Sequence, residues 1–204
     1  MTGLDLHLAS KSPRRREILA ALGLRFTFGG AGIDESVKPG EAFPDLVVRL
    51  AAAKADAVFD AGDYAVPVLG ADTVVVVDDQ VFGKPQSKEH ALSMLTALSG
   101  RTHRVLTGVA VRTCERSATS FSETSVRFRE IDPDEAAAYW QSGEPDGKAG
   151  AYAVQGVGGV FVESIEGSYS GVVGLPVYET AVLLKDAGLV LPRRSGPGQW
   201  KEDD

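Results

Sequence analysis

The sequence predicts an α/β fold built on a mixed, twisted β-sheet with helices packed against it. Two observations carry this expectation. Segments with strand periodicity alternate along the chain with segments of helical periodicity. Several successive strands are also joined by connections too short for a parallel crossover, so a purely parallel, doubly wound sheet is disfavoured. At 204 residues with 44% hydrophobic composition, the chain is long enough to bury a substantial core.

The elements follow in order. Leu4, Leu6 and Leu8 alternate with Asp5 and His7, the pattern of a strand buried on one face. Ser12 offers an N-cap hydroxyl and Pro13 a favoured first helical residue. Ile18, Leu19 and Leu22 then give that helix an apolar face, and Gly23 ends it. Residues 25–28 read as a short strand leading into the loop Gly29-Gly30-Ala31-Gly32-Ile33-Asp34-Glu35. A helix is expected over 44–60, with Val47, Leu50 and Val58 on one stripe. Lys54 falls in that stripe too, so it must snorkel outward or point into a polar site. Residues 66–69 form a strand expected to end at Gly70-Ala71-Asp72-Thr73. Residues 74–77 continue as β structure and turn at Asp78-Asp79 into a hairpin with 80–82. A helix over 88–98 starts after Ser87 and stops at Gly100. Residues 105–111 alternate as a strand with which 125–129 pairs. Asp132-Pro133-Asp134-Glu135 forms a capping box that opens a helix ending near Gly143. From Gly143 to Gly174 nine of 32 residues are glycine, too many for a helix and enough to bring backbone close to a ligand. Residues 160–165 are a strand within this region, and Pro176 precedes a last helix that ends at Gly188. Residues 1–191 are read as one domain, and 192–204, rich in Pro, Gly and mixed charge, as a disordered tail.

Composition excludes several classes. A net charge of −7 with dispersed acidic residues argues against a face for duplex nucleic acid. Cys114 is the single cysteine, which rules out an intrachain disulfide and a thiolate metal cage. His7, His90 and His103 are scattered. No apolar run reaches the length of a membrane span, and the N-terminus lacks signal-peptide character, so a soluble, cytoplasmic protein is expected. Walker, G-x-G-x-x-G, H-E-x-x-H and G-x-S-x-G motifs are absent.

The unusual local feature is Arg14-Arg15-Arg16 in a first helical turn. The helix dipole puts about +0.5 charge there, so each uncompensated cation costs roughly 0.3–1 kcal/mol. A bound polyanion reverses that sign. With the hydroxyls of Ser10 and Ser12, the first-turn amides and guanidinium forks make a phosphate-binding corner, against the plainer reading of a solvated basic patch. Asp72 at a strand end is a place for a ligand-facing carboxylate or for an ordinary loop cap. Lys84, held in a rigid turn between Gly83 and Pro85, together with Glu35 and Gln155 in Gly-rich surroundings, are weak signals individually.

Taken in order, Ala9-Ser10-x-Ser12-Pro13-Arg14-Arg15, Gly70-Ala71-Asp72-Thr73, Gly83-Lys84-Pro85, Ser99-Gly100-x-Thr102-His103, Lys148-Ala149-Gly150-Ala151-Tyr152, Gln155-Gly156 and Gly174-Leu175-Pro176 resemble the Maf family of nucleoside triphosphate pyrophosphatases. The resemblance runs from about residue 4 to 187. It implies that Asp72 is the catalytic carboxylate, and that Ser10, Ser12, Arg14, Arg15, Lys54, Lys84 and Lys148 bind substrate. It further implies that Glu35 lies with Asp72 near a divalent metal, Mg²⁺ or Mn²⁺, and that Arg14, Thr73 and Gln155 set specificity. The Gln-Gly form of the later motif is similar to the branch acting on dTTP and UTP. One departure is Gly147, which stands before Lys148 where that branch carries Asp; Asp146 lies one place earlier.

The expected reaction is attack of water on the α-phosphorus of a nucleoside triphosphate, in a cleft between two lobes, releasing the monophosphate and pyrophosphate. An aspartate is a poor base unaided, so Asp72 acts as metal ligand, as base, or as both. A homodimer is implied by the resemblance alone. Two alternatives stand beside this reading: a nucleotide-binding regulator of cell division without turnover, and a house-cleaning pyrophosphatase for methylated guanosine or pyrimidine triphosphates.

Overall fold

Seven strands hydrogen-bond into one mixed sheet in a computed structural model that describes residues 3–191. In chain order the elements are β1 (Leu6–Ala9), α1 (Pro13–Ala21), β2 (Phe26–Gly29), α2 (Phe43–Ala61), β3 (Val68–Val77), β4 (Gln80–Phe82), α3 (Lys88–Leu98), β5 (Thr102–Arg112), β6 (Ser117–Phe128), α4 (Pro133–Gln141), β7 (Val162–Glu166), α5 (Tyr169–Val173) and α6 (Val177–Asp186). Short 3₁₀ turns occupy Ala149–Ala151 and Val157–Phe161. The sheet order is β2-β1-β3-β5-β6-β7, with β4 paired to β3. β1 is parallel to both β2 and β3, while β3–β4 and β6–β7 are antiparallel. The expected mixed α/β class is therefore observed. The expected tail over 192–204 lies outside the described residues.

Contacts divide the chain into two compact units. The first contains residues up to Asp72, Thr107–Ser122 and the chain from Gly174; the second contains Thr73–Leu106 and Glu123–Val173. In the first unit, Leu6, Leu8, Leu19, Leu24, Leu69 and Leu175 form a fully buried core. A second cluster of small residues, Ala9, Ala51, Ala55 and Ala110 among them, lets α2 lie close to the strands. In the second unit, Leu95, Leu98, Phe128, Tyr139 and Phe161 pack with Val75 and Val77. Edge-to-face aromatic pairs such as Tyr139–Phe161, with centroids 5.2 Å apart, add to this core.

Local chemistry explains the element ends. After α1, Gly23 adopts φ 74° while its N–H donates to Ala20 O and the Leu24 N–H donates to Leu19 O. This is a Schellman end, sealed by the buried pair Leu19 and Leu24. Asp132 and Glu135 make the expected reciprocal capping box on α4, and Ser87 caps α3 by accepting the His90 N–H. Asp78 and Asp79 both take positive φ in the β3–β4 turn, as a two-residue hairpin demands.

Several expectations are corrected. β1 is buried on both faces, because Leu6 and Leu8 enter one apolar cluster while Ala9 enters another and His7 packs on Tyr64; Leu4 is exposed outside the strand. Buried Asp5 is matched by Arg25, whose backbone N–H donates to Oδ2 at 2.8 Å and whose guanidinium lies 3.3 Å from Oδ1. Ser12 occupies the N-cap position of α1, but its side chain makes no capping hydrogen bond. β3 does not end at residues 70–73; it runs unbroken through them. Gly70 is there because a Cβ would collide with the α2 backbone at Ala51 O and lie 2.8 Å from Ala55 N. β2 begins at Phe26, β7 begins at Val162, and β5 and β6 extend well beyond the expected segments. The Gly-rich region does accommodate one short helix, α5.

Candidate active site

Lys54 resolves the puzzle of a cation on an apolar stripe. Leu50, one turn earlier, and Ala55 are buried, whereas the Lys54 side chain, itself 15% exposed, ends among carboxylates. Its Nζ lies 2.5 Å from Asp72 Oδ1 and 2.7 Å from Glu35 Oε1. Asp72 is 7% exposed in the middle of β3, not at a strand end, so the unbroken strand holds the carboxylate rigidly. Glu35 arrives from the loop between β2 and α2, with half of its side chain exposed.

That loop has no regular structure of its own, and Arg49 ties it to α2. Arg49 donates through Nε to Glu41 Oε1 at 2.5 Å and through Nη2 to Oε2 at 2.7 Å. Nη2 also donates to Ser36 O at 3.0 Å, the carbonyl next after Glu35. The Arg49 guanidinium, aided by the Lys38 N–H, holds the Glu41 carboxyl down to about 2. Sequence reasoning missed both residues. Their only sequence signal is an acid and an arginine eight positions apart around a helix start.

At α1, Ser10 rather than Ser12 organises the turn. Ser10 Oγ accepts from the Ser12 N–H at 3.2 Å and from Arg15 Nη1 at 3.1 Å. Arg15 Nε donates to Gly174 O at 2.7 Å, which joins two of the sequence motifs. Burial draws the Arg15 guanidinium down to about 10, with neighbouring Arg14 adding to the effect and Asp72 and Glu35 opposing it. Burial likewise lowers Arg14, against the pull of Glu17. Arg16 turns aside and stacks on Phe28, 4.3 Å from the ring centre. Ser10, Ser12, Arg14, Arg15, Glu35, Lys54 and Asp72 all belong to the first unit. Two desolvated arginines stand with an ammonium already bridged by carboxylates, an arrangement suited to a polyanion.

Thr73, Lys84, Lys148 and Gln155 belong to the second unit. Thr73 is half-buried in β3, and Lys84 is exposed in the loop after β4. The Gly83 carbonyl accepts the Gly150 N–H at 3.1 Å, so the Lys84 turn and the segment after Lys148 are joined. Lys148 Nζ donates to Asp146 O at 3.2 Å, and Gly147 between them sits at φ 67°. Gln155 is exposed, and the ties holding its loop come from Glu144 and Tyr139, which sequence reasoning did not single out.

Among the described residues no group of three or more His, Cys, Asp or Glu side chains could hold a metal ion. The pair Glu35 and Asp72 nevertheless converges on one ammonium, and two carboxylates with phosphate and water oxygens suit a hard cation such as Mg²⁺. No helix among the described residues is long and apolar enough to cross a membrane.

Comparison with known proteins agrees with the motif reading. A dTTP/UTP pyrophosphatase of Hahella chejuensis is 53% identical over 186 residues, covering 90% of this chain and 92% of that protein. The dTTP/UTP pyrophosphatases of Methylococcus capsulatus and Alkalilimnicola ehrlichii are 50% and 49% identical, each over 186 residues, with 91% and 89% of this chain and 92% of each relative covered. The family model described as Maf-like protein matches residues 5–187, and the chain belongs to that family.

Proposed function

We propose that this chain is a nucleoside triphosphate pyrophosphatase that hydrolyses dTTP and UTP to the monophosphate and pyrophosphate. The observation that carries the reading is the Lys54 bridge between Asp72 and Glu35, in the same unit as the desolvated Arg15. The names of the relatives at about half identity supply the substrate pair.

In this reading Arg14, Arg15, Lys54, Lys84 and Lys148 neutralise the triphosphate, with the Ser10 and Ser12 hydroxyls as further donors. A bond forms between a water oxygen and the α-phosphorus while the bond from that phosphorus to the β-bridging oxygen breaks. Asp72 takes the proton that the water gives up. Glu35 and Asp72 would hold a divalent cation, which when bound supplies positive charge for phosphate oxygens and makes its water more acidic. Lys54 keeps the two carboxylates together before substrate arrives and then turns its charge to the phosphates. Arg14, Thr73 and Gln155 select the base, and Gln155 offers the adjacent donor and acceptor that match N3–H and a carbonyl of uracil or thymine. Residues 1–191 act as one pyrophosphatase domain, in a cytoplasmic homodimer working on the nucleotide pool.

The test is pyrophosphate release from UTP, dTTP, CTP, GTP and methylated guanosine and pyrimidine triphosphates, with and without Mg²⁺ or Mn²⁺. Equal yields of monophosphate and pyrophosphate, highest for UTP and dTTP, are expected. Tight binding of triphosphates without turnover would overturn the reading in favour of a nucleotide-sensing regulator.

A further inference from the structure

The loop that carries Gln155 is fastened by a side chain with no role in the chemistry above. Glu144 lies just past α4, beyond Gly143, and directs its carboxylate at residues 157–158. Oε2 accepts the Val157 N–H at 3.0 Å, and Oε1 accepts the Gly158 N–H at 2.9 Å and the Tyr139 O–H at 2.7 Å. The Tyr139 hydroxyl in turn accepts the Ala153 N–H at 3.1 Å. Backbone amides on both sides of Gln155 are thus held by one buried hydroxyl and one carboxylate.

The glycines of this loop fit that arrangement. A Cβ at Gly156 would lie 2.5 Å from Glu144 Cδ and 2.7 Å from Oε1, and one at Gly158 would collide with the Tyr139 hydroxyl. Only a bare backbone can come this near the carboxylate. Partial burial works against the Glu144 charge, but the Gly158 N–H, the Tyr139 hydroxyl, the Val157 N–H and nearby Lys148 outweigh it, and the carboxyl stays below its ordinary range. It therefore serves as a pure acceptor for three donors at neutral pH.

We infer that Glu144 is a positioning residue for base choice: it fixes residues 153–158 so that the exposed Gln155 presents its amide in one orientation. This rests on the reading of Gln155 as the group that selects uracil or thymine. Paired hydrogen bonds between an amide and a base edge are directional, so a loosened loop forfeits discrimination before it forfeits chemistry at Asp72.

Glu144→Gln tests the inference, because it preserves volume while setting an NH₂ donor against N–H and O–H donors. Tyr139→Phe is a second variant that removes the hydroxyl from the same network. Steady-state kinetics with UTP and CTP are measured on the full chain, well below its melting temperature, together with hydrogen exchange of the 153–158 amides. Expected are a KM for UTP raised at least tenfold, a smaller fall in kcat, a UTP-to-CTP ratio of kcat/KM reduced about tenfold, and faster exchange at Val157 and Gly158. Glu163→Gln, which removes the charge of a half-exposed pair with Arg127, should leave that ratio unchanged. If the wild-type protein prefers UTP and both variants keep its ratio, the inference is overturned and Glu144 is a structural tie alone. If the wild-type protein turns over neither nucleotide, it is the reading of the function that fails. The exchange data then judge Glu144 by themselves, and unchanged protection of Val157 and Gly158 overturns its hold on the loop.

Discussion

The ammonium of Lys54 lies 2.5 Å from Oδ1 of Asp72, which locks the buried face of a long helix to the middle of a central strand. Neither side chain would be stable at such depth alone, since an unpaired buried charge is costly and removal of one partner strands the other. Lys54 also reaches Glu35 at 2.7 Å, so one cation organises both carboxylates of the candidate site. The consequence is a preorganised acidic pair whose charge is half neutralised by one ammonium before any nucleotide binds.

The arginine turn separates into two roles. Arg14 opposes the dipole of α1 and is partly desolvated, so Arg14→Ala should leave the melting temperature of the ligand-free protein unchanged or raise it. Arg15 donates to Gly174 O and Ser10 Oγ, so Arg15→Ala should destabilise by about 1–3 kcal/mol through the carbonyl left without its donor. Both substitutions should reduce the thermal shift produced by a non-hydrolysable triphosphate. Thermal melts with and without that ligand check the pair, and a marked loss of ligand-free stability for Arg14→Ala would contradict the division.

Arg49 and Glu41 make stability depend on acid. The Glu41 carboxyl is held from 4.5 down to about 2 by the Arg49 guanidinium, so the folded state binds its proton less readily than the unfolded chain. Its stabilising contribution is complete above the unfolded pKa and is lost as pH falls from about 4.5 toward about 2. Glu41→Gln should therefore show a shallower loss of stability than the wild type between those values. Urea titrations from pH 5 to 3 measure the difference, and parallel curves would show that the clamp contributes nothing.

Much of the chain's local architecture was legible, and the reason is range. Gly23, Gly188 and the Asp132–Glu135 box act on partners within a few residues, so their signatures lie together in the sequence. Gly70 and Asp72 misled, because glycine and aspartate are poor strand formers and the group that requires Gly70 is the α2 backbone at Ala51 and Ala55. Asp5 and His7 looked solvent-facing for the same reason: their partners, Arg25 just before β2 and Thr27 within it, lie 20 positions along the chain. At the site, Lys54 stood out because a lysine on an apolar stripe needs an explanation. Glu144 did not stand out, since two of its three donors are loop amides, which leave no pattern of side-chain types, and Arg49 did not because its partner Glu41 lies eight positions away, before the helix starts.

His103 offers a titration in the second unit. It is almost fully buried, with Nε2 2.9 Å from the Tyr152 hydroxyl and its ring edge-on to Phe128. Burial lowers its pKa from 6.5 to about 4, so the folded protein keeps the ring neutral while the unfolded chain protonates it. Stability should consequently decline as pH falls from about 6.5 to about 4, by about 3 kcal/mol for a shift of this size. Imidazole NMR shifts that stay at their neutral values down to pH 5 are expected; a midpoint near 6.5 in the folded protein would refute the assignment.

The most direct measurement of the central claim compares pyrophosphate release from UTP by the wild-type protein and by Asp72→Asn, in buffer saturated with Mg²⁺. The substitution keeps the size of the side chain but removes the carboxylate that faces Lys54. Loss of a group that takes a proton in the transition state typically costs about 10²–10⁴ in rate. A fall of that order is expected, with the fold intact by circular dichroism and triphosphate binding unchanged or tighter. Turnover by Asp72→Asn within threefold of the wild type would contradict it.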